Sequence, residues 1–220
     1  MQEVVPVEIG SPRLKGLLGR VDDEPRALII FAHGSGSGRL SPRNTYVAER
    51  LRQQGLSTLL LDLLTPEEEQ DRRNVFDVSL LAQRLAIATE WANTDPRTNA
   101  AHVGYFGAST GAAAALIAAA LPESRVEAVV SRGGRPDLAG ATLARVDAPT
   151  LLIVGSLDTE VIELNQTAFD GLSGDKEWVI VPGAGHLFEE PGTLDQVVAH
   201  SARWFRRHLL DAVSDQATRG

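Results

Sequence analysis

The chain has 220 residues, 43% of them hydrophobic and 23% charged, which is typical of a globular protein and predicts one domain over residues 1–220, with its core at about 4–209. It contains no cysteine, which excludes disulfides, thiolate metal sites and a cysteine nucleophile. A formal net charge of −8 argues against binding to nucleic acid or to anionic membranes. Because we find neither a membrane-spanning run nor a signal-peptide pattern, we expect a cytoplasmic protein. We also expect it to use no metal or other cofactor.

Short apolar runs bounded by turn residues predict eight strands. The first two flank a Gly-Ser-Pro turn and indicate an antiparallel hairpin, whereas the continuous apolar runs that follow are typical of strands buried on both faces. The predicted strands are residues 4–9, 13–19, 27–32, 58–61, 102–106, 126–131, 150–154 and 177–181.

Helical periodicity appears between these strands. Residues 42–54, 78–93 and 194–209 each place apolar side chains three or four positions apart, which gives one buried stripe per helix. Residues 110–121 are rich in alanine and otherwise mostly apolar, which predicts a helix that is buried all round. A charged run at 66–73 is interpreted as a solvated loop or a first helical turn. Alternating strands and helices predict a mostly parallel sheet with helices on both faces.

The clearest chemical motif is the run Gly107-Ala108-Ser109-Thr110-Gly111, which has the pattern G-x-S-x-G. A buried strand leads into it and the alanine-rich helix leaves it, as a nucleophile elbow requires. The alternative is a tight turn without chemistry. We predict that Ser109 is a nucleophile at a helix N-terminus.

A serine nucleophile needs a base, which is most often an imidazole. His186 lies in a glycine-rich loop directly after a predicted strand, a position that suits a base, although a capping or core role is the alternative. Of the other histidines, His200 and His208 are interpreted as surface residues and His102 as structural, whereas His33 precedes a glycine-rich turn.

The base in turn needs a carboxylate, and Asp158 follows a buried strand at its carboxyl end. The alternative role for Asp158 is the N-cap of the helix that follows. Asp62 and Asp137 are weaker candidates. The resulting order, Ser109, Asp158 and then His186, is the order of the α/β-hydrolases.

Acyl transfer also needs hydrogen-bond donors for the oxyanion. One donor is predicted to be the backbone N–H of Thr110, and the second the N–H of Ser35 in the loop F-A-H-G-S-G-S-G. This loop lacks the Lys-Ser or Lys-Thr of a phosphate-binding loop and the spacing of a dinucleotide fingerprint.

Four stretches of the chain resemble the α/β-hydrolase superfamily, and most closely its dienelactone hydrolase-like branch. They are F-A-H-G-S-G-S-G, G-Y-F-G-A-S-T-G-A, P-T-L-L-I-V-G-S-L-D and V-P-G-A-G-H-L-F. The resemblance implies an eight-stranded sheet whose second strand is antiparallel. Dienelactone hydrolase proper has a cysteine where this chain has Ser109, so ordinary ester chemistry is expected here. The connection between residues 131 and 150 is too short for a helical cap, which predicts an open site.

Two arginines could contact a substrate. Arg132 follows a strand and Arg43 lies in another loop, so both could form a guanidinium fork for a substrate carboxylate. The alternative is a structural salt bridge to a nearby carboxylate: Asp62, Glu189 or Glu190.

The sequence therefore predicts a serine hydrolase that acts on small carboxylic esters or lactones through an acyl-enzyme. Two alternatives remain open at this point. One is acyl transfer to hydrogen peroxide by the same residues, and the other is a non-catalytic protein that binds a small ligand. The expected partner is a small molecule, and the sequence does not indicate an oligomeric state.

Overall fold

One eight-stranded sheet runs through residues 3–211, the part of the chain that this computed structural model describes. Its strands are β1 (Glu3–Ile9), β2 (Leu14–Arg20), β3 (Ala27–Ala32), β4 (Ser57–Leu61), β5 (His102–Ala108), β6 (Val126–Arg132), β7 (Thr150–Gly155) and β8 (Lys176–Val181). Their spatial order is β1-β2-β4-β3-β5-β6-β7-β8. Within this sheet, β2 runs antiparallel to both of its neighbours, β1 and β4, and the other pairs are parallel. The predicted α/β-hydrolase fold is confirmed.

Helices cover both faces of the sheet. They are α1 (Pro42–Gln53), α2 (Pro66–Glu69), α3 (Arg72–Phe76), α4 (Val78–Thr94), α5 (Thr110–Ala119), α6 (Thr159–Gly171) and α7 (Thr193–Phe205). A 3₁₀ segment spans Pro136–Arg145, and a π-helical turn, Arg206–Asp211, follows α7. The charged run at 66–73 forms α2 and the beginning of α3, which are short and exposed.

The central strands are apolar because both of their faces are covered. All six residues of β3 and all six of β7 are buried. Helices α4, α5 and α6 pack on one face of the sheet, and α1 and α7 on the other. The predicted stripe of α4 is buried at Leu81, Leu85 and Ala88, each nearly inaccessible. Burying one such leucine contributes about 1.5–3 kcal/mol.

The parallel strands end at one edge of the sheet, where ligands collect in open α/β folds. The loops after β3, β5, β7 and β8 therefore meet at this edge. Residues 133–149, between β6 and β7, hold only the 3₁₀ segment, which packs on α5 and α6, so no cap domain is inserted within residues 3–211. None of the helices in that range has both the length and the apolarity to cross a bilayer.

Candidate active site

Ser109 sits in a strained turn between β5 and α5. Its backbone has φ 50° and ψ −125°, a conformation that costs a residue with a side chain on the order of 1–3 kcal/mol. Two backbone N–H groups hold the turn by donating to the Ser109 carbonyl oxygen: those of Ala112 at 3.1 Å and Arg135 at 3.0 Å. The strain is thus maintained by the surrounding chain, as expected of a nucleophile elbow.

The two glycines of the motif are required by close backbone contacts. A Cβ at Gly111 would lie 2.2 Å from the carbonyl oxygen of Ala32 at the end of β3. A Cβ at Gly107 would lie 2.5 Å from the Cα of Ala112. Any side chain at either position would push the helix away from the strand, so the G-x-S-x-G pattern follows from packing as well as from chemistry.

The Ser109 hydroxyl is left unpaired by the described part of the protein. It makes no N-cap hydrogen bond to α5, although Ser109 occupies the N-cap position. The side chain is partly exposed and lines a cavity of about 240 Å³ at the carboxyl edge of the sheet. His186 lines the same cavity, so the hydroxyl and the imidazole share one solvent-accessible space.

His186 and Asp158 form a hydrogen-bonded pair. The imidazole Nδ1 lies 2.7 Å from Asp158 Oδ2, and the side chains are 39% and 15% exposed, respectively. Asp158 stands at the N-cap position of α6 but makes no capping hydrogen bond, so the N-cap interpretation of this side chain is wrong.

The weaker acidic candidates pair elsewhere. Asp137 binds the guanidinium of Arg135 with two hydrogen bonds of 2.9 Å, and Asp62 pairs with Arg39. The sequence therefore identified the carboxylate that reaches the imidazole.

Backbone contacts fix the loops that carry the pair. The Leu157 N–H donates to the Ala184 carbonyl at 2.9 Å, and the Gly183 N–H donates to Ser156 Oγ at 2.8 Å. These bonds join the loop after β7 to the loop after β8 on either side of the pair. The imidazole keeps Nε2 without a partner among the described residues, in the same cavity as Ser109 Oγ.

Two backbone N–H groups beside this cavity are also unpaired in residues 3–211. Thr110 is the first residue of α5, so its N–H has no intrahelical acceptor. Ser35 lies in the loop after β3 and lines the cavity, and its N–H makes no hydrogen bond within that range. Free N–H groups beside an unpaired hydroxyl can stabilise a developing oxyanion.

Arg43 and Arg132 both line the cavity but differ in their partners. Arg43 forms an ion pair of 2.9 Å with Glu189, one of the carboxylates expected in the salt-bridge alternative. Arg132 is 7% exposed, and its guanidinium has no carboxylate partner among residues 3–211. Within that range it donates only a long hydrogen bond of 3.4 Å to Asn44 Oδ1, and its Nε is buried without an acceptor.

The surroundings of Arg132 disfavour its charge. Burial, with a smaller contribution from the positive charge of Arg43, lowers the pKa of the Arg132 guanidinium to about 10. Its guanidinium carbon lies 5.9 Å from the centre of the Phe188 ring, which compensates part of this cost. A buried cation without an anion is uncommon and is stabilised most by an anion that enters the cavity.

Sequence reasoning missed the residues around these groups. His33, noted in the sequence only as preceding a glycine-rich turn, is buried and hydrogen-bonded at both ring nitrogens, next to the Ser35 loop. Asn44 and Phe188, the neighbours of Arg132, gave no signal in the sequence, because their contacts join distant segments. For His33 the signal was its position directly after β3.

A larger cavity, of about 540 Å³, lies between α4 and the end of α5. Its lining includes apolar residues such as Ile87 and Leu121 and polar ones such as Glu90, and none of Ser109, Asp158 and His186. Of these two cavities, the smaller one is therefore the one that Ser109 and His186 line.

Comparison with known proteins supports a common origin. The sequence profile of the Dienelactone hydrolase family matches residues 14–210. A Mycobacterium tuberculosis protein named "Putative phosphoribosyl transferase" is 58% identical over 207 residues, which are 94% of this chain but 46% of the relative. The chain thus spans about half the length of that curated relative.

Solved structures give the same result. The crystal structure of a dienelactone hydrolase from Anabaena variabilis superposes with a TM-score of 0.90 at 52% identity, covering 95% of this chain and 98% of the other. Est1E from Butyrivibrio proteoclasticus matches with a TM-score of 0.76 at 14% identity, covering 93% and 98%, which is a likeness of fold alone.

Proposed function

The chain belongs to the dienelactone hydrolase family, and from this premise we propose that it is a serine hydrolase that cleaves small carboxylic esters or lactones. Membership of the family supports hydrolase activity. The observation that carries the finer proposal is the 2.7 Å pair of His186 and Asp158 beside the unpaired, strained Ser109 in one cavity.

In the proposed reaction, Ser109 Oγ attacks the carbonyl carbon of the substrate and transfers its proton to His186 Nε2. Asp158, bound to Nδ1, orients the ring and stabilises the imidazolium. The carbonyl oxygen becomes an oxyanion that accepts hydrogen bonds from the N–H groups of Ser35 and Thr110. The tetrahedral intermediate then collapses, and the leaving alkoxide takes the proton from His186.

Water completes the cycle. His186 removes a proton from a water molecule, which attacks the acyl-enzyme at its carbonyl carbon. A second oxyanion forms at the same two N–H groups and collapses, and Ser109 leaves with the proton from His186. The products are a carboxylic acid and an alcohol, or one hydroxy acid from a lactone.

We further propose that Arg132, with Arg43 at the mouth, binds an anionic group of the substrate. The supporting observation is the buried guanidinium of Arg132, which has no carboxylate partner among the described residues and borders the same cavity as Ser109. Arg43 is available only in part, since it is paired with Glu189. An ester that also carries a free carboxylate would supply the missing anion.

The experiment measures the hydrolysis of nitrophenyl esters of increasing acyl length by rapid mixing, with release of nitrophenolate as the signal. An acyl-enzyme mechanism predicts release of nitrophenolate in a burst that is stoichiometric with the protein, followed by slower turnover. Replacing Ser109 by Ala abolishes both phases, whereas the control Ser79→Ala, an exposed serine of α4, retains them. Wild-type turnover that Ser109→Ala leaves unchanged would contradict the proposal.

A further inference from the structure

The imidazole of His33 is buried beside the proposed oxyanion loop and is used by both of its nitrogens. His33 directly follows β3 and is 7% exposed. Its Nδ1 lies 2.9 Å from the carbonyl oxygen of Gly34. Its Nε2 lies 3.0 Å from the backbone nitrogen of Leu63, just beyond β4. The ring therefore connects the ends of two neighbouring strands to the loop that carries Ser35.

The partners of the ring determine its tautomer. The Leu63 N–H is a donor, so Nε2 has to accept and carries no proton. The remaining proton of the neutral imidazole is on Nδ1, which donates to the Gly34 carbonyl. One ring thus receives a hydrogen bond from the end of β4 and passes one to the peptide between Gly34 and Ser35.

That peptide contains the proposed oxyanion donor. A trans peptide is planar, and its carbonyl and its N–H point in opposite directions. No cis peptide occurs among the described residues. Fixing the Gly34 carbonyl therefore fixes the direction of the Ser35 N–H. Gly34 also lies against the nucleophile, because a Cβ built on it would be 2.9 Å from Ser109 Cβ.

The rest of the loop offers little to hold this peptide. Ser35 and Gly36 are exposed, and Gly36 has φ +69° with open space where a Cβ would stand, so packing does not fix these two residues. One further bond to the Gly34 carbonyl comes from the Ser37 N–H at 3.2 Å. At the far end of the loop, the Arg39 N–H donates to Asp62 Oδ1 at 2.7 Å. Two contacts that support the loop, from the Leu63 N–H to His33 and from the Arg39 N–H to Asp62, thus involve residues directly after β4.

We infer that His33 is a positioning residue, which holds the Gly34–Ser35 peptide so that the Ser35 N–H is directed at the oxyanion. It does not contact the reacting atoms and acts through the peptide. This inference rests on the proposed serine hydrolase function, but it concerns a residue outside the triad. Its consequence is that the Nδ1 donor of His33 matters to kcat, and its Nε2 acceptor matters mainly to stability.

Two substitutions separate these roles. Asparagine can place its amide nitrogen where Nδ1 lies, so His33→Asn keeps the donor to Gly34 and loses the acceptor for Leu63. Glutamine can place its amide oxygen where Nε2 lies, so His33→Gln keeps the acceptor and loses the donor. Each variant loses one buried hydrogen bond, and the two are therefore matched controls for each other.

We expect His33→Gln to lower kcat by about 10–100-fold with KM within about threefold, since loss of a whole oxyanion donor costs about 10²–10³. His33→Asn retains kcat within about threefold. Affinity for a trifluoromethyl ketone, whose serine adduct carries an oxyanion, falls in parallel with kcat. A remote control, Thr98→Ala, removes a buried hydrogen bond of 2.8 Å to Ala92 and leaves kcat unchanged.

Equal losses of kcat in the two His33 variants, or wild-type kcat in His33→Gln, would overturn the inference. A measurement on the unmodified protein tests the inference even if the variants do not fold. The ¹H–¹⁵N spectra of the imidazole should report a proton on Nδ1 of His33. A proton on Nε2 would overturn the inference. Failure of the proposed function is distinguishable, because it would appear as wild-type protein without ester turnover, whatever the tautomer of His33.

Discussion

Two of the cavities in residues 3–211, the one between α4 and α5 and the one beside Ser109, differ in size and in the state of their polar groups. The larger one, between α4 and α5, is lined by apolar residues such as Ile87 and Leu121 and by polar ones such as Glu90. The buried hydroxyl at its wall is satisfied, because the Tyr105 hydroxyl lies 2.5 Å from Thr89 Oγ1. The smaller one, at the carboxyl edge of the sheet, is bordered by the hydroxyl of Ser109 and the guanidinium Nε of Arg132, both unpaired within residues 3–211.

This contrast separates the candidate site from the larger cavity, although unpaired buried polar atoms also occur elsewhere, for example in Asn165 and Trp178. Unpaired buried polar groups and a strained backbone cost folding free energy, and a protein keeps them only where surrounding contacts enforce them. At the carboxyl edge, the strained backbone conformation of Ser109 is enforced by two backbone hydrogen bonds and by the close contacts at two glycines. Tyr105, by contrast, lies in the regular strand β5. Substitutions in the smaller cavity should therefore change activity, and those in the larger one only stability.

The largest effect on kcat is expected at the pair of Asp158 and His186 beside the smaller cavity. Asp158→Asn removes the charge that orients His186 and stabilises the imidazolium, and we predict a fall in kcat of about 10³–10⁴. The measurement is steady-state hydrolysis of a nitrophenyl ester. Asp137→Asn, which alters an acid that pairs with Arg135 instead, is the control and stays within about threefold. A loss in the control as large as in Asp158→Asn would remove the distinction between the two acids.

A smaller effect, confined to one class of substrate, is expected at Arg132. Arg132→Met removes a buried cation that has no carboxylate partner in the described chain, so we predict that KM for a carboxylate-bearing ester rises roughly tenfold or more. KM for a matched neutral ester should not change. The stability of the fold should be equal or higher, because the native state no longer bears the desolvation of the charge.

Urea unfolding and kinetics on both esters measure these two quantities for Arg132→Met. Arg203→Met, at an exposed pair with Glu177, is the control with no effect on either ester. Equal KM changes for the charged and neutral esters would refute anion recognition, and so would no change for both.

The smallest effect is predicted in the larger cavity. Tyr105→Phe deletes the hydroxyl that bonds Thr89, at a ring whose burial raises the pKa of its phenol, and should lower the free energy of unfolding by about 1 kcal/mol. Thr89 keeps its bond to the Leu85 carbonyl, so its hydroxyl is not orphaned. The urea midpoint should fall while kcat stays unchanged. A clear loss of kcat would mean that the two cavities are coupled.

The candidate triad could be predicted from the sequence because each member sits in a local context. Ser109 has its strand, its glycines and its helix within a few residues, Asp158 follows the buried strand β7, and His186 lies in the loop after β8. The parallel arrangement then brings such positions to one edge. The antiparallel direction of β2 followed from the predicted opening hairpin and from the family resemblance, whereas the spatial order of the strands was not predicted.

Contacts between distant segments could not be predicted from the sequence. The partner of Arg43 could not be chosen among three carboxylates, and the absence of a carboxylate near Arg132 in the described chain could not be foreseen. His208 was interpreted as a surface residue and this was wrong, because its side chain is 12% exposed and its ring lies 4.3 Å from that of Trp204. The predicted last helix continues as a π-helical turn, which rotates its side chains away from the 3.6-residue period.

The most direct test of the central claim is the site of covalent labelling. After reaction with a fluorophosphonate, peptide mass spectrometry should find one adduct per chain, on Ser109, and labelling should slow strongly in His186→Gln, which cannot take the proton from the hydroxyl. An adduct on another residue, or labelling of Ser109→Ala at the wild-type rate, would contradict the account.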